Sequence, residues 1–307
     1  MSAPETAVSG HDVPAEAMPA RKAWSDYVQL TKPRLNLLVV LTTLAGYYLG
    51  MEEGSPLARL VHTVVGTTLV AGGASVLNQV WEKETDRLMR RTRTRPLPAA
   101  RLAPTPAFWF GIALSAVGLA ELWFLANPLS SIVALLTVLS YVVVYTPMKL
   151  KSSLSTIVGA VPGALPPLIG WAAATDSLSL AGWSLFGIVF FWQMPHFLAI
   201  AWMHRDDYAK AGMPLLPVIE PSGRSTGRQA VLYAAATIPV SLLPTLLGLA
   251  GPRYLITAIV LGAMVLWLSF EFAATRTHVA ARRLFFATII YLPLILGALV
   301  LDHALRR

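Results

Sequence analysis

Residues 57–81 read LARLVHTVVGTTLVAGGASVLNQVW, and residues 82–98 continue EKETDRLMRRTRTRPLP. The first run carries Arg59 and His62 as its ionisable groups and is long enough to cross a hydrocarbon layer about 30 Å thick as a helix. Its end is abrupt. Three oxygen-bearing side chains, Asn78, Glu82 and Asp86, lead into a burst of bases that includes Arg91 and Arg95. Spacing of i, i+4 and i+8 places the three on one helical face. A row of oxygen donors at the mouth of a membrane helix suits a divalent cation, and neighbouring guanidinium groups suit phosphate oxygens. The combination is the chemistry of a substrate that leaves as diphosphate. A solvated helix end obeying the positive-inside rule explains the arginines but not the acids.

Outward from this run, the rest of the chain repeats its character. Of the 307 residues, 55% are apolar and 13% charged, with a mean hydropathy of +0.60, too oily for a water-soluble domain and too long for one anchor. Apolar runs fall at about 35–51, 57–81, 103–126, 128–147, 156–174, 178–203, 229–249, 253–275 and 284–303. Most approach the length of a membrane-spanning helix, and nothing alternates as barrel strands do. The expected fold is therefore all-α: a polytopic bundle of nine transmembrane helices with a central cavity opening to the cytoplasmic side, preceded by a flexible cytoplasmic tail over residues 1–24. The membrane domain covers residues 25–307.

Alternating spans put the N-terminus and the loops after helices two, four, six and eight on one side. All Lys and Arg except Arg59, Arg253, Arg306 and Arg307 lie there, 20 of 24. That asymmetry predicts a cytoplasmic N-terminus and an external C-terminus. The formal charge of +8 is thus topology, and no module suggests a nucleic-acid partner. Absence of cysteine excludes disulfides, thiolate ligands and thiol nucleophiles.

Further polar groups sit within or beside the spans. Helix six carries Trp192, Gln193, Pro195 and His196, then His204, Arg205, Asp206, Asp207 and Tyr208. Polar residues inside a span face the bundle interior or a wet cavity, so His196 is either a satisfied core histidine or a ligand or acid–base group. Asp206 and Asp207 read as a second charge cluster or as a solvated loop pair; being adjacent, at most one aims inward. Tyr145 and Lys149, at i and i+4, offer a diphosphate grip or an interfacial anchor, and Lys32 and Arg34 flank Pro33 before the first helix. The prolines and glycines of helix five, Pro162, Gly163, Pro166, Pro167 and Gly170, require a bend or break. Glu121 and Glu271 receive no role.

The run Asn78-x-x-x-Glu82-x-x-x-Asp86-x-x-Met89-x-Arg91-Thr92-x-x-Arg95-Pro96-Leu97-Pro98 resembles the first motif of the UbiA superfamily of intramembrane prenyltransferases. Its ending is similar to the branch that farnesylates protohaem IX. The same branch is suggested by Thr31-Lys32-Pro33, by Tyr145-Thr146-Pro147, by Gly163–Trp171, and by Trp192-Gln193-Met194-Pro195-His196-Phe197 with Asp207-Tyr208-x-x-Ala211-Gly212-x-Pro214-x-Leu216-Pro217. The resemblance spans roughly residues 25–303. It implies a membrane enzyme, in a cell or inner membrane, that uses Mg²⁺ to transfer farnesyl from farnesyl diphosphate to a vinyl group of haem B, with addition of water, giving haem O. It assigns Asn78, Glu82 and Asp86 to a first metal cluster and Asp206 and Asp207 to a second. Asn78, Glu82, Asp86, Asp207 and His196 are then the catalytic candidates, with Arg91, Arg95, Tyr145, Lys149 and Lys32 on the diphosphate. A haem A synthase or terminal oxidase is the implied downstream partner. Two departures stand out: Glu82 occupies a position where Asp is commoner, and His204 lies near one that is often acidic. A quinone-precursor prenyltransferase acting on a substrate such as 4-hydroxybenzoate, or a nine-helix transporter, are the rival readings.

Overall fold

The computed structural model describes residues 20–306, and the regular structure in them is helical. A short helix, α1 (Ala20–Leu30), precedes α2 (Pro33–Gly50), whose first position is a proline, the residue that costs least there because that N–H lacks an intrahelical acceptor. Helix α3 (Leu57–Trp81) runs through Glu82 into α4 (Lys83–Leu88), and α5 (Pro104–Leu125) follows. Helix α6 (Pro128–Val138) passes through π-type turns over Leu139–Tyr145 into α7 (Thr146–Met148). The fifth apolar run is two rods, α8 (Ser155–Ala164) and α9 (Pro166–Thr175), broken at Leu165 as its prolines require. Helix α10 (Leu180–Met203) leads into the short α11 (Arg205–Lys210) and α12 (Leu216–Ile219). The chain finishes with α13 (Arg224–Leu246), α14 (Pro252–Thr275) and α15 (His278–Ala304).

Eight of these segments are long and apolar enough to cross a membrane, and α2, with 18 residues, is a further rod packed among them. This is an all-helical, multi-pass membrane protein. Helices α13 and α15 begin at Arg224 and His278, five and six residues ahead of their apolar runs. Hydropathy marks only the stretch facing lipid, whereas backbone hydrogen bonding continues into water. Of the expected tail, residues 1–19 lie outside the described residues, and helix α1 begins inside the remainder, at Ala20.

Without a hydrophobic force between helices in lipid, close backbone approach and polar pins hold the bundle. Helices α2 and α9 cross so tightly that a Cβ on Gly46 would overlap the carbonyl of Pro167, and one on Gly170 the carbonyl of Thr43. Asn127 donates to Ala172 O at 2.7 Å, Gln193 to Ala160 O at 2.7 Å and Gln79 to Leu30 O at 2.6 Å. Two main apolar clusters result. One gathers α10 and α13–α15 with the far end of α2, the other gathers α3, α6 and α9.

Candidate active site

The backbone row foreseen in the sequence survives the end of α3. Glu82 N donates to Asn78 O at 2.9 Å, and Asp86 N to Glu82 O at 2.8 Å, so the three side chains stay in register across the junction with α4. All three are buried, at 1%, 7% and 1% exposure, and all three line one cavity of about 160 Å³. Its wall also takes Lys32, Arg91, Arg95, Tyr141, Tyr145 and Lys149 from neighbouring elements, with Phe197, Ile200 and Ala201 of α10 on the apolar side.

Each acid meets a base. Arg95 NH1 donates to Asp86 Oδ2 at 2.7 Å, and Lys149 Nζ stands 2.6 Å from Glu82 Oε1. That second contact is a close, buried ion pair, and a carboxylate oxygen has lone pairs enough to keep it and still take a further partner. Asn78 is clamped by its neighbours: its Nδ2 donates to Thr146 Oγ1 at 3.0 Å while Oδ1 accepts from Lys32 Nζ at 3.2 Å. Thr92 Oγ1 donates to Asp86 O at 2.8 Å and ties the arginine loop to the row.

The cations are held with equal specificity. Lys32 has φ 49° and ψ 55°, left-handed values that cost a residue with a side chain about 1–2 kcal/mol, and that twist lies between α1 and α2. Burial, and then Arg95 nearby, lower its ammonium to about 7, against the pull of Glu82 and Asp86. For Lys149 burial works the same way, but Tyr145 and Glu82 outweigh it and hold the charge above the ordinary lysine range. Its Nζ lies 4.4 Å from the centre of the Tyr145 ring. Tyr145 stacks on Tyr141 at 5.6 Å, and both are delivered by the π-type turns, a rare helix form that is frequent at functional sites. Gly159 makes room for them, since a Cβ there would enter the Tyr145 ring. Arg91 reaches Tyr208 OH at 3.3 Å, joining the two loops that flank the cavity, whose Met89, Ala211 and Met213 pack together.

Not every expected residue comes to this wall. Asp206 is 90% exposed, 3.9 Å from Arg205 Nε, and neither it nor Asp207 lines the cavity. Both lie in the first turn of α11, where carboxylates suit the positive end of a helix, and Asp207 is half-buried. His204 beside them is lowered by burial and by the charge of Arg91. His196 lies behind Phe197, hydrogen-bonded to Thr288 on α15. Glu121 pairs with His62 at 2.8 Å and Glu271 with Arg283 at 2.6 Å, away from the cavity. Sequence reasoning missed Tyr141 and Met213, and it quoted Thr92 and Thr146 within motifs without giving them a role. For Tyr141 a signal existed: four residues before Tyr145, it shares that residue's helical face.

Asn78, Glu82 and Asp86 fit a hard divalent cation on the chemistry of three buried oxygen donors on one wall, with Lys149, Arg95, Lys32 and Arg91 placed to receive an anion beside it. Among known proteins, the profile of the UbiA prenyltransferase family matches residues 39–291. A protoheme IX farnesyltransferase of Solibacter usitatus is 48% identical over 91% of this chain and 98% of its own length. Another from Opitutus terrae is 46% identical over 93% and 97%. A solved structure of digeranylgeranylglyceryl phosphate synthase superposes with a TM-score of 0.78 at 17% identity, covering 92% of this chain and 99% of that one. A UbiA homologue from Archaeoglobus fulgidus bound to GPP and Mg²⁺ gives 0.63 at 16% identity, over 89% and 99%. At these identities the structural likenesses speak to the fold.

Proposed function

The chain belongs to the UbiA prenyltransferase family and, within it, to the protohaem IX farnesyltransferases; from that premise we propose that it transfers farnesyl from farnesyl diphosphate to a vinyl group of haem B, with addition of water, to give haem O. The observation that carries the reading is the buried row Asn78, Glu82, Asp86 on the wall that also bears Arg95, Lys149 and Lys32. Asn78, Glu82 and Asp86 would hold Mg²⁺, which when bound supplies positive charge to neutralise the leaving diphosphate.

Arg91, Arg95, Lys32 and Lys149 bind the diphosphate oxygens, and Tyr145 orients Lys149 by lying under its ammonium. Before substrate enters, Glu82 and Asp86 hold Lys149 and Arg95 in place. On ionisation the bond between farnesyl C1 and oxygen breaks, and both electrons leave with the diphosphate. Electron-rich faces of Tyr141 and Tyr145 stand near the developing cation, and Phe197, Ile200 and Ala201 keep bulk water away. The vinyl group supplies the electron pair for the new carbon–carbon bond. Water then adds to the cation left beside the macrocycle and loses a proton, leaving a hydroxyethylfarnesyl side chain.

Extending the reading, the cavity opens to the cytoplasm of a cell or inner membrane, the N-terminus is cytoplasmic, and the product passes to a haem A synthase or terminal oxidase. Haem extraction from a host that lacks its own enzyme, before and after expression of this chain, tests the proposal. Mass analysis should show haem O; haem B alone, with the protein folded and inserted, would overturn it.

A further inference from the structure

Helix α10 presents His196 in a setting that fixes which ring nitrogen carries a proton when the imidazole is neutral. The ring stacks with Trp192 at 5.5 Å and with Phe285 at 4.9 Å, both within 25° of parallel. Its Nδ1 lies 2.9 Å from Thr288 Oγ1. That hydroxyl owns one proton, and 2.6 Å away stands the carbonyl of Phe285, which can only accept. The threonine proton is therefore committed to the carbonyl, and Oγ1 accepts from Nδ1–H. A neutral imidazole protonated at Nδ1 carries a bare lone pair at Nε2.

The hydrogen bond of the ring is made through Nδ1, which leaves Nε2 free of protein partners among the described residues, and the ring is half-buried rather than sealed. Thr288 is fully buried and locked at a second point, since its own carbonyl accepts Trp192 Nε1 at 2.6 Å. Residue 197, next in the chain, lines the cavity.

We propose that Thr288 is a positioning residue for the acceptor: it fixes the tautomer and plane of His196 so that Nε2 offers its lone pair to the iron of the porphyrin. An imidazole that donates its other N–H to an oxygen acceptor is the arrangement in which histidines ligate metals, because the hydrogen bond sets the ring and strengthens the ligand. The inference rests on haem B being the acceptor. It adds what the farnesylation chemistry does not require, a fixed grip on the macrocycle from the α10–α15 side while the diphosphate is held from the α3 side.

Thr288→Val keeps the branched shape and removes the hydroxyl, and Thr288→Ser restores it. With the full chain in detergent, haem B affinity should fall at least about tenfold in Thr288→Val, within the 10–100-fold range of such supporting contacts, and the visible spectrum of bound haem should shift. Thr288→Ser should return both, and farnesyl diphosphate affinity should stay unchanged throughout. Independently of haem, ¹⁵N-histidine NMR of the wild-type chain should show an unprotonated Nε2 for His196, a signal that identifies itself by its loss in His196→Gln. An Nε2–H tautomer in the wild type overturns the inference, as does a folded Thr288→Val with wild-type haem affinity and spectrum; both leave the proposed reaction standing. A wild-type chain that binds farnesyl diphosphate but no haem B overturns the acceptor reading and this inference together.

Discussion

Glu82 and Asp86 are carboxylates that give up water inside the cavity and find a lysine and an arginine in exchange. Neutralising either acid without changing its shape should therefore separate catalysis from folding. Glu82→Gln and Asp86→Asn should each lower prenyl transfer by at least about 10²-fold, the scale of a lost electrostatic stabiliser, while inserted protein survives. Turnover by purified variant near that of wild type would remove the row from the mechanism. Lys32 poses the opposite test. Its left-handed backbone is a cost that glycine does not bear, so Lys32→Gly should melt no lower than wild type yet bind farnesyl diphosphate at least about tenfold more weakly, having lost a charge-assisted contact. Equal weakening of fold and affinity would mean that the lysine is structural. The acidic row was legible because i, i+4, i+8 spacing is local helical geometry that needs no knowledge of partners. Thr146 on Asn78 and Thr288 on His196 were not, since each bond joins residues 68 and 92 positions apart and only the packed bundle brings them together. Asp206 and Asp207 went the other way: their resemblance to a motif named them, but the cavity wall is made without them, a matter of tertiary packing that spacing does not encode.

At the scale of elements, the α2–α9 crossing carries the sharpest steric expectation. Gly46→Val places carbon atoms inside the carbonyl of Pro167 and should cost about 1–3 kcal/mol or more, with a lower melting temperature in detergent. Gly297→Ala, where nothing lies within 4 Å, is the matched control and should leave melting unchanged or slightly raised. Equal melting for both variants would mean that the two helices separate freely. The apolar runs foretold the spans because lipid imposes one rule on every residue it touches. The same rule hid α1, which is short, polar and tied to the surface by Arg101, whose guanidinium grips Asp26 at 3.0 Å and Gln29 at 3.1 Å. It also hid the π-type turns of Leu139–Tyr145, since a hydropathy run is blind to the width of the helix. Pro147 was a readable hint, because a residue without an N–H leaves the carbonyl four positions earlier without its helical donor.

For the molecule as a whole, charge and topology can be checked directly, since the chain has no cysteine of its own. Arg93→Cys should react with impermeant thiol reagents only after the membrane is opened, and Glu53→Cys in intact cells or spheroplasts. The reverse pattern would move the cavity to the outer face. The arrangement of the cores reaches further. One apolar cluster lies with α10 and α13–α15, another with α3 and α6, and the cavity takes Asn78 from the second side and Phe197 from the first. On the proposed function, the strain of admitting a bulky acceptor between the two sides falls on the contacts that join the clusters, those of α9 and of Phe186, which packs against both. Thermostability and speed should then pull against each other in this enzyme. Changes that knit the boundary together will harden the protein and slow it on its bulky acceptor, while changes that tighten either interior will harden it at no cost in turnover.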